Sequence, residues 1–312
     1  MSILQPFKFK PIARQVIWGG DKIAAFKGVT SDIHHVGESW EISGIDGFES
    51  VVAQGDDTGL TLSRLIEKYK EQLVGDEVYR KFGNTFPLLI KFIDANHDLS
   101  IQVHPRGKKD EMWYIIDTVA QADIRLGFNH EMTCDDYEAH VNNHTITQVI
   151  NCYHSRPGDV YFLPSGQIHS IGAGNFLAEI QQASTDTYRI YDYNRIDCNG
   201  KKRELHTQLA KKELNFKPYD GKCDYENTTN KEVMLTCGDH FKVSRIVLDD
   251  NFMMPMRKPH NFKILICTQG KLVITDNNGK ETHVCQGETV LIPASLTLIV
   301  LDGHAECLIA TV

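Results

Sequence analysis

The residue types that could do chemistry gather first in Ser100-Ile101-Gln102-Val103-His104-Pro105 and, three residues on, in Lys109-Asp110-Glu111-Met112-Trp113-Tyr114. Gln102 and His104 are two apart, so on a β-strand both side chains leave the same face. A tight Arg106-Gly107-Lys108 turn with a hairpin return would set Glu111 across from them. Amide, imidazole and carboxylate donors would then face one point, as a metal site requires. A fourth candidate stands in Gly158-Asp-Val-Tyr-Phe-Leu-Pro164-Ser-Gly166-Gln-Ile-His169, where strand formers end in a Pro-x-Gly turn that presents a histidine. Any one of the 14 histidines, taken singly, is more often an ordinary hydrogen-bonded residue than a ligand. His34, His35, His130, His140, His144 and His154 stay in that class; His104 and His169 leave it because two spacing patterns agree on one site. On donor type zinc fits best, with iron, manganese, cobalt and nickel still open.

Rigid elements must hold such donors. Phe86 to Asp94 is a continuous apolar run suited to a buried strand, and Asn96-His97-Asp98 reads as the turn that leads into the Gln102 strand. Leu62, Leu65, Ile66, Tyr69 and Leu73 recur at helical spacing behind a cap at Thr61 or Ser63, which predicts a helix on the outside of a barrel. Thr133 opens a second helix through about His140, with Asp135 and Asp136 in its first turn. Between Ile116 and Thr133 the pattern weakens, and strand character returns at Asp159. Residues 199 to 230, rich in Lys, Asn, Asp and Gly, read as a surface connection, with a boundary near 235.

The last segment echoes the His169 motif. Gly287-Glu-Thr-Val-Leu-Ile-Pro293-Ala-Ser-Leu-Thr-Leu298 keeps the Gly, five, Pro, four spacing but puts Leu298 where the histidine stood. Gly270-Lys-Leu-Val-Ile and Asn277-Asn-Gly279 add a hairpin signal beside it.

The Gly158 to His169 spacing resembles the second signature of the cupin superfamily, with Gln102 replacing the first histidine of the first signature. The Gln-x-His, Lys-x-Glu, His set resembles the type I phosphomannose isomerases in the short bacterial form. Val16-Ile-Trp18-Gly-Gly20, Gly37-Glu-Ser-Trp40-Glu-Ile-Ser43, Phe86-Pro-Leu-Leu-Ile-Lys91, Leu99-Ser-Ile-Gln-Val-His-Pro105 and Ser184-Thr-Asp-Thr-Tyr-Arg189 follow that family's landmarks in order. The resemblance implies a mainly β fold: a cupin double-stranded β-helix (jelly-roll) barrel over residues 1–234 with a helical insertion near 61–83, then a smaller cupin-like barrel over 235–312 without metal ligands. It also implies one zinc ion per chain on Gln102, His104, Glu111 and His169. The reaction implied is interconversion of mannose 6-phosphate and fructose 6-phosphate through an enediol, with Arg189, Lys109 and Glu179 as catalytic candidates. Arg189 would bind phosphate or the enediolate, and Lys109 would be a second cation and proton carrier. The bland reading of Arg189 and Glu179 is a strand-face ion pair, and Trp18 and Trp113 read as core or cleft walls. In one respect the chain departs from the family. Only Arg106, Gly107 and Lys108 separate Pro105 from Lys109 where a longer, partly helical loop is usual, so the expectation is a discontinuous or poorly ordered lid segment at the cleft.

Composition narrows the alternatives. The 312-residue chain is 41% hydrophobic and 24% charged, ordinary for a globular protein. A net charge of -8 without a basic run disfavours nucleic acid and anionic membranes as partners. Residues 1–10 lack the apolar core of a signal peptide and no run is of membrane-spanning length, so a cytoplasmic location is the expectation. Eight cysteines without a Cys-x-x-Cys pair predict reduced, mostly buried thiols. The partner is then a small phosphorylated sugar; nothing in the sequence assigns an oligomeric state. A non-catalytic sugar-binding or regulatory cupin is the competing function, and a metal-dependent oxygenase is disfavoured by Gln102. Joint retention of Lys109, Glu179 and Arg189 beside the metal ligands favours the enzyme.

Overall fold

The computed structural model describes residues 4–197, 200–256 and 261–312. Its first stretch runs through β1 (Phe7–Lys10), β2 (Ile12–Gly20), helix α1 (Lys22–Phe26), β3 (Val36–Ile42), a small hairpin of β4 (Gly44–Ile45) and β5 (Phe48–Glu49), and β6 (Val51–Val52). The periodic segment then folds as α2 (Leu62–Tyr69), with the Thr61 side chain accepting a hydrogen bond from the Arg64 N–H. Lys70 and Gly75, both at positive φ, break its continuation into α3 (Glu71–Val74) and α4 (Asp76–Phe82). Leu62, Leu65, Ile66 and Leu73 are fully buried. These helices lie outside the metal-site sheets, as expected, with Arg64, Glu67 and Lys68 on an exposed face. Their apolar face shares a core with Phe262, Ile264 and Leu308, and the Ala294 and Ser295 amides donate to the carbonyls of Leu73 and Gln72.

The middle of the chain contributes β7 (Leu88–Asp94), β8 (Ile101–Val103), β9 (Glu111–Thr118), β10 (Asp123–Phe128), α5 (Cys134–Asn142), β11 (Ile150–His154), β12 (Val160–Leu163), β13 (His169–Ile171), β14 (Asn175–Gln182) and β15 (Tyr188–Tyr191). Every residue of β7 is buried, which explains its unbroken apolar run. Helix α5 starts on a reciprocal capping box between Thr133 and Asp136. The weak pattern after Ile116 hides two strands, β10 and β11, whose half-buried polar residues blur the alternation. Residues 199–230 likewise carry α6 (Thr207–Glu213) and β16 (Lys222–Cys223). Ala210 and Leu214 are fully buried there, so tertiary packing overrides a loop-like composition.

The rest is β17 (Val233–Cys237), β18 (Lys242–Leu248), β19 (Phe252–Pro255), β20 (Lys263–Asp276), β21 (Glu281–Cys285), β22 (Thr289–Ile292) and β23 (Leu298–Thr311). Gly279, at φ 76, turns β20 into β21 where Asn-Asn-Gly marked a hairpin. The echo of spacing is an echo of conformation: Gly158 and Gly287 both take positive φ, each leads a strand to a proline, and a new strand begins at His169 and at Leu298.

Three large antiparallel sheets result. One has the order β16-β12-β9-β14-β7-β3-β2, a second β11-β10-β13-β8-β15, and a third β17-β18-β23-β20-β22-β1-β6 with β19 and β21 attached. Trp18, Ile93, Trp113, Ile115, Leu126, Leu163 and Leu177 fill the space between the first two. The first strand crosses to the third sheet, pairing Phe7 with Leu291. Among the described residues no helix is long and apolar enough to cross a membrane. The cysteine expectation fails in part. The described cysteines are free, but only Cys267 and Cys307 are buried, while Cys134, Cys152, Cys237 and Cys285 are exposed on strand and helix faces turned to solvent. Cys198 lies outside the described residues.

Candidate metal centre and substrate cleft

Two facing sheets build the centre. Gln102 on β8 stands directly opposite His169 at the start of β13, and His104 follows β8 by one residue. Glu111 opens β9 in the other sheet, paired with Leu163 and Gln181. The expected hairpin therefore does not form: β8 pairs with β13 and β15, β9 with β12 and β14, and Arg106-Gly107-Lys108 steps from one sheet to the other. Glu111 reaches the donors by facing them across the sandwich. The lid reading is overturned as well. The turn is continuous, closed by Lys108 N–H to the Pro105 carbonyl at 3.2 Å with Gly107 at φ 72. Gly107 N–H donates to Ser165 Oγ at 2.8 Å and Arg106 N–H to Glu213 Oε2 at 2.9 Å, which pins the turn to the Pro164 bend and the end of α6.

The ligand atoms of His104, Glu111 and His169 all lie within 4.8 Å of one another, and all three residues are buried. His104 Nδ1 donates to the Asp186 carbonyl at 2.8 Å and His169 Nδ1 to the Gln167 carbonyl at 2.9 Å. Each ring thereby turns its Nε2 lone pair to the cluster, as second-sphere bonds do for metal-binding histidines. Nε2 of His104 is 3.4 Å from Glu111 Oε2, and Nε2 of His169 is 3.3 Å from Oε1. The Gln102 amide sits 3.2 Å from His169 Nε2, and a half-turn of the amide presents its oxygen there instead.

Charge at the cluster is arranged to receive a cation. Burial lowers the His169 pKa to about 3 and keeps the ring neutral. Burial opposes ionisation of Glu111 too, but its neighbours, Lys109 first among them, outweigh it and hold the carboxyl well below its usual range. Among the described residues no group gives either Glu111 oxygen a well-formed hydrogen bond. Lys109 Nζ stands 3.1 Å from Oε2 and 3.0 Å from His104 Nε2, an ammonium placed among the donors. A buried carboxylate without hydrogen bonds beside two oriented imidazoles fits a divalent metal.

A cleft of about 510 Å³ opens on the centre, lined by Trp18, Glu38, Lys91, Lys109, Glu179 and Arg189 among others. Gly37 makes room for one wall, since a Cβ there would come within 2.6 Å of the Trp18 ring. Strand parity sorts the side chains: on β9 and β14, Trp113 and Glu179 face the cleft while Tyr114 and Ala178 face the opposite core. Glu179 does not pair with Arg189, so the ion-pair reading of those two is wrong. It accepts from Lys91 Nζ and from Trp113 Nε1, each at 2.8 Å. Burial works against the charge on Lys91, but Glu179 and Glu38 overcome it and push its pKa up. Arg189 donates to the Glu204 carbonyl at 2.9 Å, and among the described residues its buried Nε has no hydrogen-bond partner. Burial first, then the neighbouring Arg203, lowers its pKa. Lys91, Glu38 and Arg203 line the cleft, and sequence reasoning gave them no role. For Lys91 the signal was present, a lysine inside a fully buried apolar strand; Arg203 sits in a segment that read as a connection.

Comparison with known proteins agrees. Residues 6–142 match the model of the phosphomannose isomerase type I catalytic domain. The chain is 31% identical over 325 residues to mannose-6-phosphate isomerase ManA of Bacillus subtilis strain 168, covering 98% of each chain. It is 28% identical over 324 residues to the mannose-6-phosphate isomerase of Streptococcus mutans, covering 97% of this chain and 96% of that one. The crystal structure of the mannose 6-phosphate isomerase from Bacillus subtilis superposes with a TM-score of 0.89 at 28% identity over 99% of this chain and all of that one, which confirms the cupin-type fold. The chain is thus an enzyme that belongs to the type I phosphomannose isomerase family.

Proposed function

We propose that this enzyme interconverts mannose 6-phosphate and fructose 6-phosphate with one zinc ion held by Gln102, His104, Glu111 and His169. The observation that carries the reading is the buried Glu111 carboxylate, without a hydrogen bond and facing two oriented imidazoles at the floor of a cation-lined cleft. Zinc bound there supplies a positive charge that polarises sugar oxygens. The chain's own residues do the rest. Burial and then the neighbouring Arg203 work against the charge on Arg189 at the cleft, an arrangement that a dianionic phosphate relieves. Lys91 holds its proton against burial, so it offers fixed positive charge to the enediolate that forms when the proton leaves C2 of the aldose. Lys109 and Glu179 are the groups placed to carry that proton to C1 and to move the hydroxyl proton between O2 and O1.

All these residues fall within 1–234, which supports reading that part as the catalytic domain and 235–312, with Leu298 at the histidine position, as a metal-free partner that contributes packing. The test is a coupled assay of fructose 6-phosphate formation by zinc-loaded protein, with metal content measured on the same sample. Turnover with one zinc per chain is expected. Inactivity of folded, zinc-loaded protein on mannose 6-phosphate overturns the reading in favour of a sugar-binding cupin.

A further inference from the structure

A second cleft, of about 750 Å³, lies on the far side of β9 from the metal centre. Tyr114, next to the cleft-facing Trp113, points into it, and the third sheet forms its opposite wall through Arg245, Thr268 and Glu306. Its floor is a closed polar network. Glu306 Oε1 accepts from Tyr114 Oη at 2.6 Å and from Thr268 Oγ1 at 2.9 Å. Arg245 donates to Glu306 Oε2 at 2.5 Å, to Tyr114 Oη at 3.1 Å and to Asn227 Oδ1 at 2.9 Å. Burial, then Glu306, raises the Tyr114 pKa, so its hydroxyl remains a donor. Phe26, Phe176 and Tyr225 supply an apolar and aromatic side, and Asn227, Gln269 and Gln286 stand at the rim.

The charges on this lining cancel, Lys22 and Arg245 against Asp117 and Glu306, so it offers no excess positive charge to a phosphate. What it does offer is a ring of amides, hydroxyls and one buried ion pair beside aromatic surface. Hydroxyl groups can both donate to the carboxylate and accept from guanidinium and amides, while C–H faces lie on the rings. Small-molecule sites favour such seams between packed units.

We propose that this cleft binds a neutral polyhydroxylated ligand, a sugar or sugar alcohol without phosphate, at a site separate from the metal centre. Because the readout is binding and not turnover, the proposal stands or falls apart from the isomerase reading. The experiment titrates mannitol, which has no carbonyl to isomerise, into the full-length zinc-loaded protein by calorimetry and saturation-transfer NMR. Parallel titrations use Asn227→Ala and Gln269→Trp, both at exposed rim positions, and a sample saturated with mannose 6-phosphate. Expected are one mannitol per chain, affinity unaffected by mannose 6-phosphate, and at least about tenfold weaker binding in both variants, the loss of one good hydrogen bond or of the space itself. No binding to the parent protein, displacement by mannose 6-phosphate, or undiminished binding in both variants would each overturn it.

Discussion

Arg189 and Gln102 are register partners on β15 and β8, so a guanidinium bordering the cleft and an amide bordering the metal centre share one row of one sheet. A guanidinium has no lone pair to offer a metal, so the arginine can act on substrate without being one of the ligands. Arg189→Ala is expected to lose turnover while keeping metal and fold, whereas His169→Ala loses the metal as well. A charge-assisted hydrogen bond is worth about 1.5 to 3 kcal/mol, so each one lost slows the reaction by about ten- to a hundredfold. Arg189→Lys should restore little, because an ammonium cannot reproduce the planar fork. Steady-state kinetics with metal analysis and circular dichroism decide it; a rise in KM alone would make Arg189 a ground-state phosphate anchor.

Lys91→Met leaves Glu179 buried with Trp113 as its remaining donor. Breaking a buried pair from one side costs about 3 to 5 kcal/mol, far more than an exposed pair contributes. Urea unfolding of the variant should show that loss, and Lys91→Met/Glu179→Gln should recover part of it. Equal stability of the single variant and the parent would mean that water reaches Glu179.

Removing metal should lower the thermal midpoint, because the buried Glu111 carboxylate then loses a cation and keeps the charge of Lys109 beside it. A ligand held at 100 times its dissociation constant stabilises by about 2.7 kcal/mol. Calorimetry before and after chelation, then after zinc is restored, measures the effect. Glu111→Gln should neither bind zinc nor respond to the chelator.

Asp192 gives the pH prediction. Burial disfavours its charge, but hydrogen bonds from Arg203 and Arg195 outweigh burial and lower its pKa below 3.8. A carboxylate depressed in the folded state contributes stability above its unfolded pKa and loses it as pH falls through the folded value. Asp192→Asn should therefore be less stable than the parent at pH 7, and the gap should close below about pH 4. A gap that persists unchanged in acid would assign the loss to hydrogen-bond geometry and not to charge.

The donors of the metal centre were legible because period-two spacing and a Gly-to-Pro-to-His interval are local properties of the chain. Which sheet each donor belongs to was not. A hairpin and a crossing between facing sheets can share the same three-residue turn, and only the pairing of β8 with β13 and of β9 with β12 separates them. The absent lid was misjudged for a related reason: Arg106 and Gly107 are held by Glu213 and Ser165, partners distant in sequence. Lys91 was visible as an anomaly in an apolar strand, yet its partner Glu179 lies 88 residues away. Helix α6 escaped notice since its polar composition conceals only two buried anchors, Ala210 and Leu214.

Strand β1 carries a consequence for biosynthesis. Lys8 bonds Glu288 at 2.7 Å across 280 residues of chain, and β1 lies between β22 and β6. At the usual pace of translation the ribosome delivers β22 on the order of 15 to 60 s after β1. For that interval one edge of the nascent strand has no native neighbour, whatever the middle of the chain has already built. Lys8 puts charge on the stretch that waits for β22, which discourages pairing with other nascent chains. The third sheet is consequently completed late, when β1 meets a strand made 280 residues after it.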